Sequence, residues 1–230
     1  MSPKPSTSPD PDFVFTVLRH FSAEFPDAIL LGGWATYLRT QADKSHDIDV
    51  IVDHATLGML AAKYRLVPSS HIGGKKYQTD LEGVEVDIYP VYQSKLGQRL
   101  SIPVEVLADH AEVVSGFRVL SPEAQFVAKM AALLDRPDSL PGDKDRREMW
   151  KLANLPDALD FGKIAQILSG SQHSPSESLA LIDETFQLLE ETDTLNRHDL
   201  SHLRMLRTLA LNSVRQGGER RPPGQSARPK

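Results

Sequence analysis

An α+β fold follows from three features of the chain: a mixed β-sheet with flanking helices in the first half, then a helical bundle. Up to Leu120, short apolar runs of strand length alternate with helical stretches and tight-turn glycines. Glu82-Gly83 separates two alternating runs by two residues, the spacing of a β-hairpin. From Ser121 onward only helical periodicity remains.

The elements follow in order. Phe13, Val14, Val17, Leu18, Phe21 and Phe25 recur at helical spacing and predict a first helix. Ala28 to Leu31 is an apolar strand cut off by Gly32-Gly33, and Trp34 to Thr40 continues as a helix with Leu38 one turn from Trp34. Asp47 to Val52 reads as a second strand and Ala55 to Tyr64 as a helix. Tyr77 to Leu81 and Val84 to Tyr89 form the hairpin, and Phe117 to Leu120 is one more short strand. At Ser121-Pro122-Glu123 a capping hydroxyl, a proline at the first helical position and an acidic first turn announce a helix. Helices are expected at Pro122 to Asp135, Asp143 to Ala153, Ala158 to Leu168, Ser176 to Glu191 and His198 to Val214. The expected organisation is a flexible tail at 1–11, a sheet domain at 12–120, a helical domain at 121–215 and a flexible basic tail at 216–230.

The chain has 230 residues, 40% of them hydrophobic, enough to bury a core. Its formal net charge of -5 argues against a surface coated with nucleic acid, although a local basic face is compatible with it. Cysteine is absent, which excludes disulfides, thiolate zinc sites and a cysteine nucleophile. With no apolar run of spanning length and no signal-peptide core, a cytoplasmic location without membrane contact is expected.

The chemistry sits in the carboxylates. Side chains alternate along a strand, so Asp47 and Asp49 share one face while Ile48 takes the other. Two anions so close repel unless a cation neutralises them, and oxygen ligands suit Mg²⁺ or Mn²⁺. On the hairpin, Glu85, Asp87 and Tyr89 lie opposite Val84, Val86 and Ile88, so Asp87 is placed to join the first pair. Gly32-Gly33 ahead of a helix offers backbone N–H groups to a triphosphate. Each feature alone has a bland reading: a solvated acid pair, a plain turn, an exposed hairpin acid. Their order along the chain is far more specific than any member.

Basic residues fit the same ligand. Lys129, after Phe126 and Val127, is placed to offset triphosphate charge, or else to snorkel at the surface. Lys144, Arg146 and Arg147 at an expected helix start oppose the helix dipole unless an anion lies nearby. Arg39 and Lys44 are available to the same anion or are simply solvated. His198 and His202, one turn apart, lack a third zinc ligand, His46 sits beside the acidic pair, and His71, His110 and His173 are scattered. Trp34 and Tyr37 read as packing residues.

In this order the residues resemble the nucleotidyltransferase superfamily with a DNA polymerase beta-like palm, whose pattern is Gly-Gly or Gly-Ser, then Asp-x-Asp, then a third acid. Gly32, Gly33, Asp47, Asp49 and Asp87 match it. Leu31-Gly32-Gly33-Trp34-Ala35 and Ser45-His46-Asp47-Ile48-Asp49-Val50 look like the AbiEii and MenT-type toxins of toxin–antitoxin and phage-defence systems. In such relatives a Lys on one helix and a Lys-Asp pair on the next complete the site, places held here by Lys129 and by Lys144-Asp145. The resemblance spans about residues 28–155. It implies Mg²⁺ or Mn²⁺ on Asp47, Asp49 and Asp87, an NTP bound by Gly32, Gly33, Lys129 and Lys144, catalytic parts for Lys129 and Asp145, an RNA acceptor such as the tRNA 3′ end, and a cognate antitoxin as partner. Two positions depart from it. Gly33 stands where Ser is usual, which removes a hydroxyl from the triphosphate, and Glu148 stands where Asp is commoner. Two alternatives remain: a small cationic acceptor of aminoglycoside type, served by Glu82, Glu85 and Asp109, and a non-catalytic nucleotide- or partner-binding module.

Overall fold

The structure, a computed structural model, describes residues 8–41, 43–69, 74–157 and 159–219. Along the chain run α1 (Pro11–Glu24), β1 (Ile29–Leu31), α2 (Gly32–Thr40), β2 (Ile48–Val52), α3 (His54–Lys63), β3 (Val67–Ser69), β4 (Lys76–Leu81) and β5 (Val84–Pro90). Then come β6 (Lys95–Leu96), β7 (Ile102–Pro103), α4 (Val104–Ala108), β8 (Ala111–Val114) and β9 (Phe117–Leu120). The rest is helical: α5 (Pro122–Asp135), α6 (Leu140–Ala153), α7 (Phe161–Ser169), α8 (Pro175–Glu190) and α9 (Arg197–Glu219). The fold is α+β, as expected.

Among the described residues, seven strands form one sheet in the order β3-β4-β5-β2-β1-β9-β8. It is mixed, because β2 runs parallel to β5 and β1 parallel to β9 while the other pairs are antiparallel. Strand alternation divides the core in two. Leu30, Val50, Val86 and Ile88 pack with α1, α2 and α3, whereas Ile29, Leu31 and Ile51 pack with the helices that follow β9. The second face is apolar at the β1 end and acidic further across, where Asp49 and Asp87 take the same orientation as Ile51 and Tyr89. This change of character leaves a cleft between the sheet and α5–α6 instead of a closed core.

Helix ends depart from expectation where caps decide them. Asp10 caps α1 at Asp12 N (2.8 Å), so the helix begins at Pro11, inside the expected tail. Ser139 caps Gly142 N at 3.1 Å, and with Pro141 in the first turn α6 begins at Leu140, ahead of the expected Asp143. Asp160 accepts from Gly162 N and Lys163 N (2.8 and 3.2 Å) and starts α7 at Phe161, while Ala158 lies outside the described residues. The last helix continues to Glu219, so Gln216 to Glu219 are helical where a tail was expected. Residues 1–7 and 220–230, including Arg220, Arg221, Arg228 and Lys230, lie outside the described residues, as does His71. The edge strands β3 and β8, the β6–β7 ribbon and α4 were not expected. Pro68 is tolerated in β3 because an edge strand can spare its donor, and Val113 of β8 faces water, so neither strand carries an apolar alternation. No helix among the described residues is long and apolar enough to cross a membrane.

Candidate active site

The site begins where β1 turns into α2. Gly32 has φ +70, and a Cβ there would lie 2.3 Å from Asp49 Oδ2, so both backbone shape and space demand glycine. The glycines are not a separate turn but the first residues of α2 itself. Buried Gln125 of α5 fixes that first turn by donating to the Gly32 carbonyl (2.8 Å) and to Thr36 Oγ1 (3.0 Å). Asp49 faces Leu31 across the β1–β2 pair, and the parallel β2–β5 register sets it beside Asp87. Asp47 lies at a bend just before β2 and not inside the strand, so Ile48 is the first paired residue.

The missing hydroxyl of Gly33 has a spatial substitute. A Cβ on Gly33 would lie 2.7 Å from Ser45 Oγ, and Ser45 donates to Asp47 Oδ1 at 2.5 Å. Gly33→Ser, which restores the residue usual in the resembling superfamily, is therefore expected to lower stability by about 1–3 kcal/mol through overpacking. A compensating Ser45→Gly should recover most of that loss; chemical denaturation of the two variants measures it, and a stable single variant would show that Ser45 is not fixed there.

Electrostatics concentrate on the acids. Burial pushes the Asp49 carboxyl up to about 7, with Asp47 and Asp87 adding to the rise and Lys76 and Lys129 opposing it. The Tyr89 hydroxyl lies 3.4 Å from Asp49 Oδ1, and burial, then the Asp49 charge, holds this phenol well above its usual range. Asp87 is paired with the Lys76 ammonium at Oδ2 and accepts from Gln78 Nε2 at Oδ1 (2.9 Å). Among the described residues no three acidic or imidazole groups are drawn into a ready cation cage: Asp47 turns to Ser45 and Asp87 to Lys76. The donor chemistry nevertheless suits a hard divalent ion. All three groups are carboxylates, the charges of Asp47 and Asp87 raise the proton affinity of Asp49, and the glycine keeps a Cβ off Asp49 Oδ2.

Opposite the sheet stands a second charged cluster. Lys129 of α5 is buried at 7% exposure, which excludes a snorkelling surface lysine. Its ammonium lies 2.8 Å from Asp145 Oδ1 and is also paired with Glu148. Burial pulls the Lys129 pKa down, but the Asp145 and Glu148 charges outweigh it and the net shift is upward. Arg136 Nη2 holds the other oxygen of Asp145 at 2.7 Å. Buried Glu148 Oε1 accepts no hydrogen bond, with Lys144 Nζ 3.8 Å away. Lys144 belongs to the second turn of α6, so the expected conflict with the helix dipole is weaker than the sequence suggested, yet its ammonium lies 3.4 Å from the point where a Gly33 Cβ would stand.

Thus Gly32, Gly33, Asp47, Asp49, Asp87, Lys129, Lys144 and Asp145 all line one cleft of about 1550 Å³. Other expectations fall elsewhere. Arg39 is bound to Glu112 (2.6 Å) and to the Leu120 carbonyl (2.5 Å), and Lys44 to Asp12, so neither serves the cleft. Trp34 is core, against Phe15. His202 packs on Trp150 at 6.0 Å, whereas His46 contacts the Pro9 carbonyl and lines the cleft beside Asp47. Glu85 lines the cleft, whereas Glu82 and Asp109 are not among its lining residues. Sequence reasoning missed Lys76, Gln78, Gln125 and Arg136, and it quoted Ser45 in the motif without giving it a role. Lys76 and Gln78 were recoverable, since a two-residue turn at Glu82-Gly83 fixes Gln78 opposite Asp87.

No known protein family and no curated protein matches the sequence. Among solved structures the chain is similar to JHP933 of Helicobacter pylori, with 12% identity over 93% of this chain and 97% of that one and a TM-score of 0.47. A candidate nucleotidyltransferase of H. pylori gives 12% identity, 93% and 98% coverage and a TM-score of 0.46. An antigenic nucleotidyltransferase-like protein from Paracoccidioides brasiliensis gives 20% identity, 87% and 95% coverage and a TM-score of 0.42.

Proposed function

We propose that this chain is a metal-dependent nucleotidyltransferase that moves a nucleoside monophosphate from an NTP onto an acceptor hydroxyl. The observation that carries this reading is the juxtaposition of Asp49 with Asp87 on parallel β2 and β5, Asp47 two residues before Asp49, and the Gly32-Gly33 helix start in the same cleft. Asp47, Asp49 and Asp87 would hold Mg²⁺ or Mn²⁺. When bound, such ions offset the charge developing on the α-phosphate and on the leaving pyrophosphate.

The chain's own residues do the rest. The N–H groups at the start of α2 offer donors to phosphate oxygens, with Lys144 beside Gly33 supplying charge. The acceptor oxygen forms a bond to the α-phosphorus, the bond from that phosphorus to the bridging oxygen breaks, pyrophosphate leaves, and the hydroxyl proton passes to a carboxylate of the site. Lys129, locked between Asp145 and Glu148, holds the α5–α6 wall opposite the acids. Position and charge carry most of such a reaction.

The acceptor we favour is RNA at the tRNA 3′ end, in a toxin silenced by a cognate antitoxin, on the strength of the Gly-Gly and Ser-x-Asp-x-Asp motifs. A small cationic acceptor is the second reading, because Asp80, Glu85 and Asp135 also line the cleft. The test is incubation with Mg²⁺, each labelled NTP in turn, and either total RNA or an aminoglycoside. Label in a tRNA-sized band supports the first acceptor and label in the small-molecule fraction the second. Tight NTP binding with no label and no pyrophosphate under either condition would sink nucleotidyl transfer and leave a binding module.

A further inference from the structure

We propose that Lys76 is a latch: its ammonium occupies Asp87 in the cation-free protein and must withdraw for a divalent ion to use that carboxylate. The inference rests on the reading of Asp47, Asp49 and Asp87 as cation ligands, and concerns how that site is opened.

Lys76 starts β4 and lies on the sheet face that carries Asp87 and Tyr89. Its side chain is 10% exposed and that of Asp87 12%, so the ion pair is largely shielded from water. The ammonium also stands 5.3 Å from the centre of the Tyr89 ring, a cation–π contact that fixes its direction. With Gln78 Nε2 on Oδ1 and Lys76 on Oδ2, both oxygens of Asp87 are already engaged. A cation approaching Asp49 therefore meets a positive charge on the third carboxylate, and ligation by Asp87 requires that charge to leave.

The contrast with Lys129 shows which lysine is free to go. Lys129 is held by two acids, Asp145 and Glu148, each nearly sealed from solvent, and neither belongs to the triad. Among the described residues Lys76 is ion-paired with Asp87 alone, the carboxylate the cation needs, and it lines the open cleft into which its flexible stem can swing. Cation binding and release of Lys76 are then one event, since a ligand shifts a two-state element by its differential affinity for the two states.

Two measurements on the full chain without nucleotide test this. In calorimetric titration with Mn²⁺, Lys76→Met is expected to bind roughly tenfold more tightly than wild type or better, because a buried like charge is removed from the site. Lys95→Met, which takes a positive charge from the same cleft without touching Asp87, should change affinity by less than about twofold. If the methionine variant fails to fold, Lys76→Gln serves, keeping a neutral donor on Asp87. In wild type, acylation of Lys76 by an amine-reactive reagent, read by mass spectrometry, should be slow without cation and accelerate several-fold at saturating Mn²⁺. Unchanged affinity in the Lys76 variant, or unchanged labelling of Lys76, overturns the latch while leaving the cation site standing. Absence of Mn²⁺ binding in both wild type and variant removes the cation site, and the latch with it.

Discussion

Asp49→Asn is expected to lower nucleotidyl transfer by about 10³-fold or more, since under the proposed function metal-borne charge stabilisation of several kcal/mol would pass through this carboxylate. The same change should not unfold the protein. Asp49 is the acid that burial and its two neighbours disfavour as an anion, and a neutral amide of the same shape relieves that cost. The pH dependence follows with a definite sign. Burial holds the folded carboxyl up at about 7 against an ordinary 3.8, so between those values the folded state holds a proton that the unfolded chain has lost. Cation-free wild type should therefore lose stability, on the order of a few kcal/mol, as pH rises from about 4 to about 7. Asp49→Asn should flatten that part of the profile, as should added Mg²⁺. Pyrophosphate release and urea melts at pH 5 and pH 8 read the two effects; wild-type turnover by the variant would sink the assignment of Asp49.

Lys129→Met should cost about 3–5 kcal/mol, the usual penalty for removing one partner from a buried ion cluster. Asp145 keeps Arg136, but among the described residues Glu148 is left with only Lys144, 3.8 Å from Oε1, and Oε1 accepts no hydrogen bond even in the wild type. The stranded charge is thus chiefly that of Glu148. Lys129→Met combined with Glu148→Leu should regain much of the loss, because replacing both members of such a pair with apolar groups is often neutral. A double-mutant cycle from denaturant melts gives the coupling. A single-variant cost below about 1 kcal/mol would mean that the cluster is not the closed network described.

The acids and glycines were legible because their relations are local: strand alternation orients Asp49 and Asp87, and a glycine pair ahead of a helix announces close approach. What escaped was pairing between distant elements. Arg39 appeared free to serve a phosphate because its partner Glu112 stands on β8, an edge strand whose two faces are both wet and whose sequence carries no apolar alternation. Asp145 was assigned to the site by resemblance and Glu148 marked as a departure from it, but their burial went unread, although their three-residue spacing, continued by Met149 and Leu152, marks the buried face of α6. The sign that this face is inward comes from Lys129 on another helix. Gly33 stands in the string as a gap where a hydroxyl is usual, but Ser45, twelve positions on, fills the space.

Neighbouring residues of β1, Ile29 and Leu30, point into different cores, one shared with the C-terminal helices and one with α1 and α2. The stretch ending at Leu120 is consequently not a portable cassette. Severed there, it would offer Ile29, Leu31 and Ile51 to water on the side that bears Asp49 and Asp87, and the acidic floor would lose its roof and its solubility together. Changing what the cleft admits is accordingly a matter of rebuilding its rim around Arg136 and Leu140, with both halves inherited as one piece.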